Sequence, residues 1–316
     1  MNYILDWKPS PPDERDFKFS NSFLQFDASI LPATSIIDTL PEVYDQGEIG
    51  SCVFNSSGMS VLYQSRLQNR EIFPSRLFGY WNTRELEGTV NEDSGAYIRD
   101  AFKILNKVGT CKESTWPYNT DEFLTKPSED CYTEALKTTA TQYHRLNNSD
   151  ILELKNCIAT LKKPFVFGFT VYQSFMGSWE SVMPIPRNGE RVLGGHAVLA
   201  IGYSDAKKAF LIKNSWSKDW KDAGHFWMPY SFITGVDCDD FWVLEGLSTL
   251  VPEPIPIPEP VSKTTVDLKK VMLSGSDFTL MQKDVIVRMG LELGLGTTNA
   301  LSRAKNLTIL KAHLGL

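Results

Sequence analysis

Cys52 closes the run QGEIGSC, where a loop with glycines at 47 and 50 passes into a helical pattern. From Ser51 onward Phe54, Gly58, Val61, Leu62 and Ser65 fall on one helical face. Unpaired backbone N–H groups and the partial positive charge of a helix N-terminus stabilise an anion there. The expectation is a thiol with its pKa lowered well below the usual value of about 8.5. A thiolate that attacks an amide also needs a base that can turn acid, a group that orients the base, and donors for the developing oxyanion. His196, at the start of a strand-like run GGHAVLAIGY, is the candidate base. Asn214 in KNSW, one strand later, could accept from the imidazole N–H, with Trp216 shielding that bond. The Gln46 side-chain NH2 and the Cys52 backbone N–H could form the oxyanion hole. Taken singly, each has a plainer reading: a buried small residue, a structural histidine, a turn asparagine, an incidental glutamine.

Taken together, QGxxGSC, then GGHAVxxxGY, then KNSW, in that order, resemble the papain-like cysteine peptidases over roughly residues 40–247. The resemblance implies an α+β, two-lobed fold: a helical lobe carrying Cys52 and an antiparallel β-rich lobe carrying His196 and Asn214. It implies Cys52 as nucleophile, His196 as general acid and base, Asn214 as its orienter, Gln46 in the oxyanion hole and Trp216 as a shield. Polypeptide would be the substrate, cleaved through an acyl-enzyme thioester without metal or organic cofactor. The stretch EDSGAYIRDAFKILNKVGTCKESTWPY resembles the region after the family's substrate-binding glycine pair, of which Gly95 survives beside Ser94. Extended substrate would pair with the backbone near 93–95, with Gly194, Gly195, Ala96 and Tyr97 lining the cleft. The chain also departs from the family. Val53 replaces the aromatic residue after the nucleophile, and Ile49 replaces a disulfide cysteine. The long helical pro-segment is missing, and DWKPSPPDERDF instead resembles the start of bacterial homologues. Removal of residues 1–40 on activation is an open expectation. Two other functions share these residues: a non-catalytic papain-fold component of a larger assembly, and a ligase that passes the acyl group to an amine.

The remaining sequence must position this set. Residues 1–40 are rich in proline, aspartate and serine and show no sustained period. A second helical pattern covers 97–107 with Ile98, Phe102 and Leu105, stopping at Gly109. Beyond about residue 164, PFVFGFTVY, GGHAVLAIGYS, AFLIKNSW, GHFWMPYSF and DFWVLEG read as antiparallel strands. The peptidase body is therefore expected at 41–250. VPEPIPIPEP begins a stiff linker over 251–264, and 265–316 reads as a small helical module with a basic excess. That module could dock a protein or a nucleic acid.

Hydrophobic residues make up 42% of the 316 and charged residues 22%, as in a soluble globular chain. A net charge of −6 argues against a polyanion as partner of the whole protein. The start lacks the apolar run of a secretory signal, and no apolar run approaches the roughly 20 residues of a membrane span. The expectation is a soluble, intracellular protein. Cys52, Cys111, Cys131, Cys157 and Cys238 are odd in number and lack the close pairs of a metal site. Cys111 and Cys131 flank TWPY and could pair, but free thiols are expected. His144 and His313 are expected at the solvated surface, and His225 in AGHFW is a much weaker alternative base.

Overall fold

The computed structural model describes residues 3–19, 31–38, 40, 42–248, 305, 308 and 309. The chain divides into two units, Met1–Glu253 and Pro254–Leu316. In the second unit Lys305, Thr308 and Ile309 are helical; the expected linker and module otherwise lie outside the described residues, as does His313.

The first unit has the α+β fold of the papain type. In chain order its elements are β1 (Thr34–Ile36), α1 (Cys52–Leu67), α2 (Arg76–Glu87), α3 (Ile98–Lys107), α4 (Glu129–Ala135), β2 (Ala140–Arg145), α5 (Ile151–Ala159), β3 (Phe165–Tyr172), β4 (Val192–Ser204), β5 (Ala209–Lys213), β6 (His225–Pro229), α6 (Tyr230–Ile233) and β7 (Cys238–Leu247). The strands form one seven-stranded antiparallel sheet in the order β2-β7-β3-β4-β5-β6, with β1 on β4.

The central strands read as continuous apolar runs because both of their faces are buried. Side chains alternate across a strand, so Phe165, Phe167 and Phe169 of β3 enter one core with Val198 and Ala200 of β4. Val166, Ala197, Leu199 and Ile201 enter the other. The first core is dense in aromatic rings and is closed by Leu154, Cys157 and Ile158 of α5. The second packs the sheet against α1, Leu77 and Tyr80 of α2, and Ile98, Phe102 and Leu105 of α3.

α1 is buried from Cys52 to Ser65, so it is a central helix and not an amphipathic one. Its small residues let it approach β4, and Ser56 Oγ donates to the Ala197 carbonyl at 2.9 Å. This bond ties the helix that begins at Cys52 to the strand that carries His196.

Several elements lie outside the expected pattern. α2 starts at Ser75, whose Oγ accepts from Phe78 N, and stops at Gly88. α5 is capped by Asp150, whose carboxylate accepts from Leu152 N and Glu153 N. Both caps are present in the sequence but follow weakly patterned stretches. β2 is a half-buried, polar strand, and Thr34–Ile36 joins the sheet ahead of residue 41. His144 is not a solvated surface residue: it is partly buried beside Phe19 and 3.6 Å from Glu245. Cys111 and Cys131 are free, buried thiols, and burial followed by the neighbouring Cys131 pushes the Cys111 thiol up. Among the described residues no helix is long and apolar enough to cross a membrane.

Candidate active site

His196 is the fifth residue of β4, opposite Phe169 of β3 in the ladder. Its Nε2 is 2.7 Å from Asn214 Oδ1, at the end of β5, and Ser215 N donates to the same oxygen at 2.8 Å. Trp216 stacks on the imidazole with ring centroids 4.6 Å apart. The other ring nitrogen, Nδ1, is buried without a hydrogen-bond partner among the described residues. Cys52 is the first residue of α1, and the backbone N–H of Ala197, next to His196, acts to lower its pKa. The structure thus brings Cys52, His196, Asn214 and Trp216 together. His225 instead begins β6 opposite Lys213, with Nδ1 on the Ala223 carbonyl.

The opposite wall is a loop. Gln46 is fully buried; its Nε2 donates to the Ile49 carbonyl at 3.1 Å and its Oε1 accepts from Ser215 Oγ at 2.8 Å. One N–H of that amide remains for a ligand. The carboxylate of Asp93 accepts from Gly50 N at 2.9 and 3.0 Å and from the Tyr80 hydroxyl. Gly50 and Asp93 are thereby tied across the position where Ile49 replaces the family's disulfide cysteine. From the sequence Asp93 was expected only as backbone beside an extended substrate and Tyr80 was not singled out, because nothing in their spacing marks the contact.

The cleft between the walls is filled by residues 3–7 of the same chain. Trp7 N donates to the Gly195 carbonyl at 3.1 Å and Gly195 N to the Leu5 carbonyl at 3.0 Å, parallel to β4. Tyr3 stacks on Trp216, with centroids 4.3 Å apart and planes 5° from parallel. The Trp7 ring lies so close to Gly168 that a Cβ there would come within 1.8 Å of it. Gly95, at φ +70°, likewise leaves room for Asp6: a Cβ would stand 2.4 Å from the Asp6 carbonyl oxygen. The backbone where extended substrate was expected, near 93–95 and at 194–195, is occupied by residues 5–7. Farther along, Ser10 bonds Asp240 through N and Oγ, and Asp16 pairs with Arg99 at 2.7 Å and Arg145 at 3.1 Å. Residues 3–19 are therefore docked, not loose.

This cover reverses the expectation for the thiol. Burial pushes Cys52 up to about 12, against backbone hydrogen bonds from Ala197 and Val53 and with a contribution from Asp6. Burial likewise pulls His196 down to about 4, opposed by its bond to Asn214. A helix N-terminus favours a thiolate, but removal of water on all sides outweighs it here. Under the cover both groups are neutral at pH 7. Among the described residues no cluster of His, Cys, Asp or Glu could hold a metal ion.

The sequence profile of the papain family cysteine proteases matches residues 36–238. An uncharacterized peptidase C1-like protein of Acanthamoeba polyphaga mimivirus is 35% identical over 268 residues, covering 76% of this chain and 86% of that one. Xylellain, a cysteine protease from Xylella fastidiosa, is 39% identical with a TM-score of 0.72, covering 77% of this chain and 96% of that one. The proCathepsin B S9 structure from Trypanosoma congolense shares the fold at 16% identity and a TM-score of 0.60, covering 74% and 82% of the two chains. This chain belongs to the papain family of cysteine proteases.

Proposed function

We propose that the protein is a cysteine-type peptidase that hydrolyses peptide bonds, with Cys52 as nucleophile, and that residues 3–7 hold it latent. The observation that carries this reading is the pairing at the cleft. Cys52 begins α1, which Ser56 ties to Ala197 of β4, while Ala197's neighbour His196 has Nε2 fixed on Asn214 and Nδ1 free of any described partner. Once water and substrate replace the cover, the proton moves from sulfur to imidazole. The thiolate then attacks the scissile carbonyl carbon, and the oxyanion is received by the Cys52 N–H and the Gln46 amide. His196 gives its proton to the leaving amine, a thioester remains, and His196 takes a proton from the water that hydrolyses it. Asn214 keeps the ring in the tautomer and orientation this needs.

The test is turnover of a fluorogenic peptide library by the full chain and by Tyr3→Ala/Trp7→Ala, with Cys52→Ala as control. Hydrolysis by the opened variant, absent without Cys52, supports the reading. An opened variant that neither cleaves peptides nor reacts with a thiol-directed epoxide contradicts it. Products carrying an added amine would replace hydrolysis by acyl transfer.

A further inference from the structure

Tyr118, the last residue of TWPY, reaches the loop that leads to Cys52 from outside the cleft. Its hydroxyl donates to the Gln46 carbonyl at 2.8 Å. The same oxygen meets Ser51 Oγ, and Asn55 Nδ2 approaches it at 3.4 Å while donating to Ser51 Oγ at 2.9 Å and to the Ser51 carbonyl at 3.0 Å. One phenol therefore joins both ends of the six-residue path from Gln46 to the N-cap of α1. Burial pushes the phenol up to about 12, so it keeps the proton it donates.

The ring is itself clamped. The Arg76 guanidinium lies 3.7 Å from its centroid and 4.5 Å from that of Tyr44. Arg76 also donates to the Asp45 carbonyl at 3.1 Å and to Asn55 Oδ1 at 3.2 Å, and pairs with Glu113 at 2.6 Å. Asp45 precedes Gln46, and Asn55 lies one turn beyond Ser51. The whole assembly grips the loop at its two ends and touches neither sulfur nor imidazole.

We infer that Tyr118 is a positioning residue for the oxyanion hole: its hydroxyl fixes Gln46 relative to the N-terminus of α1, so that the two proposed donors converge on one point. This rests on the peptidase reading, in which Gln46 and the Cys52 N–H are those donors. Tyr118→Phe keeps the ring, and with it the Arg76 stack, but leaves the Gln46 carbonyl and Ser51 hydroxyl short of a buried partner. Loss of a donor outright lowers turnover by about 10²–10³. Loss of a strut behind it should cost less, about tenfold in kcat with KM little changed.

The experiment separates acylation from simple alkylation. Iodoacetamide reacts with a thiolate by displacement and forms no oxyanion, whereas peptide cleavage and peptide-aldehyde binding both do. Tyr118→Phe is compared with the unsubstituted sequence in the full chain, each with and without Trp7→Ala. The expected result is a tenfold loss of kcat and of aldehyde affinity, with the alkylation rate of Cys52 unchanged and no further loss when Tyr118→Phe is added to Gln46→Ala. Amide hydrogen exchange over residues 44–51 should quicken in Tyr118→Phe even in the covered protein, and Ser51→Ala should reproduce it. Equal losses of alkylation and cleavage, or unchanged exchange over 44–51, overturn the inference. If the Trp7→Ala chain with Tyr118 intact neither cleaves nor alkylates at Cys52, the peptidase reading fails, and the exchange result then judges the strut alone.

Discussion

His196 and Asn214 owe their places to a ladder of backbone hydrogen bonds, whereas Gln46 has one short backbone bridge, its N–H to the Ser215 carbonyl at 2.8 Å, and is otherwise held, like the approach to Cys52, mainly by side chains. On the sheet wall, β4 lies between β3 and β5, and Leu199 faces Lys213 one residue before Asn214. Shifting either catalytic candidate would require a register slip that turns buried side chains to the wrong face. On the loop wall, Asp93, Tyr118 and Ser215 each make separate bonds to Gly50 or Gln46. Those ties can be removed one at a time. The sheet wall should fail all at once and the loop wall by degrees.

Substitutions at the reacting groups give the largest expected effect. Cys52→Ala should lower peptide turnover by at least about a thousandfold without changing the circular-dichroism spectrum, since a knocked-out nucleophile leaves only residual rate enhancement. Breaking the cover comes next. Tyr3→Ala/Trp7→Ala removes two aromatic side chains from the cleft, and large-to-small changes at buried aromatic sites cost about 3–5 kcal/mol. Epoxide labelling of Cys52 should accelerate by about a hundredfold or more, read by mass spectrometry, because about 1.4 kcal/mol corresponds to a factor of ten. Gly168→Val should act in the same direction by leaving no room for the indole, even though it changes the sheet wall and not the segment. On the loop wall Asp93→Ala should lower turnover by about tenfold, with loosened exchange around Gly50, as expected for loss of charge-assisted bonds worth about 1.5–3 kcal/mol.

The smallest effect is that of pH on the cover. His196 is held near 4 against an ordinary 6.5, so the uncovered form binds the proton more readily and gains as pH falls from 6.5 toward 4. Cys52 is held near 12 against an ordinary 9.0, so the uncovered form also gains as pH rises above 9.0. Asp6 opposes the acid branch: burial, and then Asp93, raise its pKa, and the covered form keeps that proton. Exchange protection of residues 3–7, corrected for intrinsic rates, should therefore be greatest between pH 6.5 and 9.0 and fall severalfold on either side. Protection that rises steadily with acid would mean that Asp6 outweighs His196.

The two walls also differed in how far the sequence disclosed them. Long apolar runs such as FVFGFTV and GGHAVLAIGY announce strands because both their faces are buried, so the sheet wall and its motifs were legible. Cys52 was legible through the glycine loop and the helix it enters. The ties of the loop wall were not, because Asp93 and Tyr118 act through a few side-chain bonds between segments distant in the chain. The cover was missed for the same reason: Leu5 and Trp7 meet Gly195 only after the chain has folded back. With the cover went the thiol's true environment, since a helix N-terminus predicts a depressed pKa only where water can reach the sulfur. The capping signals of α2 and α5 were readable, while the half-buried, polar β2 carries no pattern that separates it from a loop.

The central claim is a competent cysteine–histidine pair closed off by the chain's own first residues. Its most direct test is the rate and site of epoxide labelling of the full chain beside Tyr3→Ala/Trp7→Ala, at pH 6.5, with His196→Ala as the second arm. The account predicts slow labelling of the full chain, rapid labelling confined to Cys52 in the opened variant, and loss of that speed without His196. Equal, slow labelling of both chains, spread over several cysteines and indifferent to His196, would contradict it.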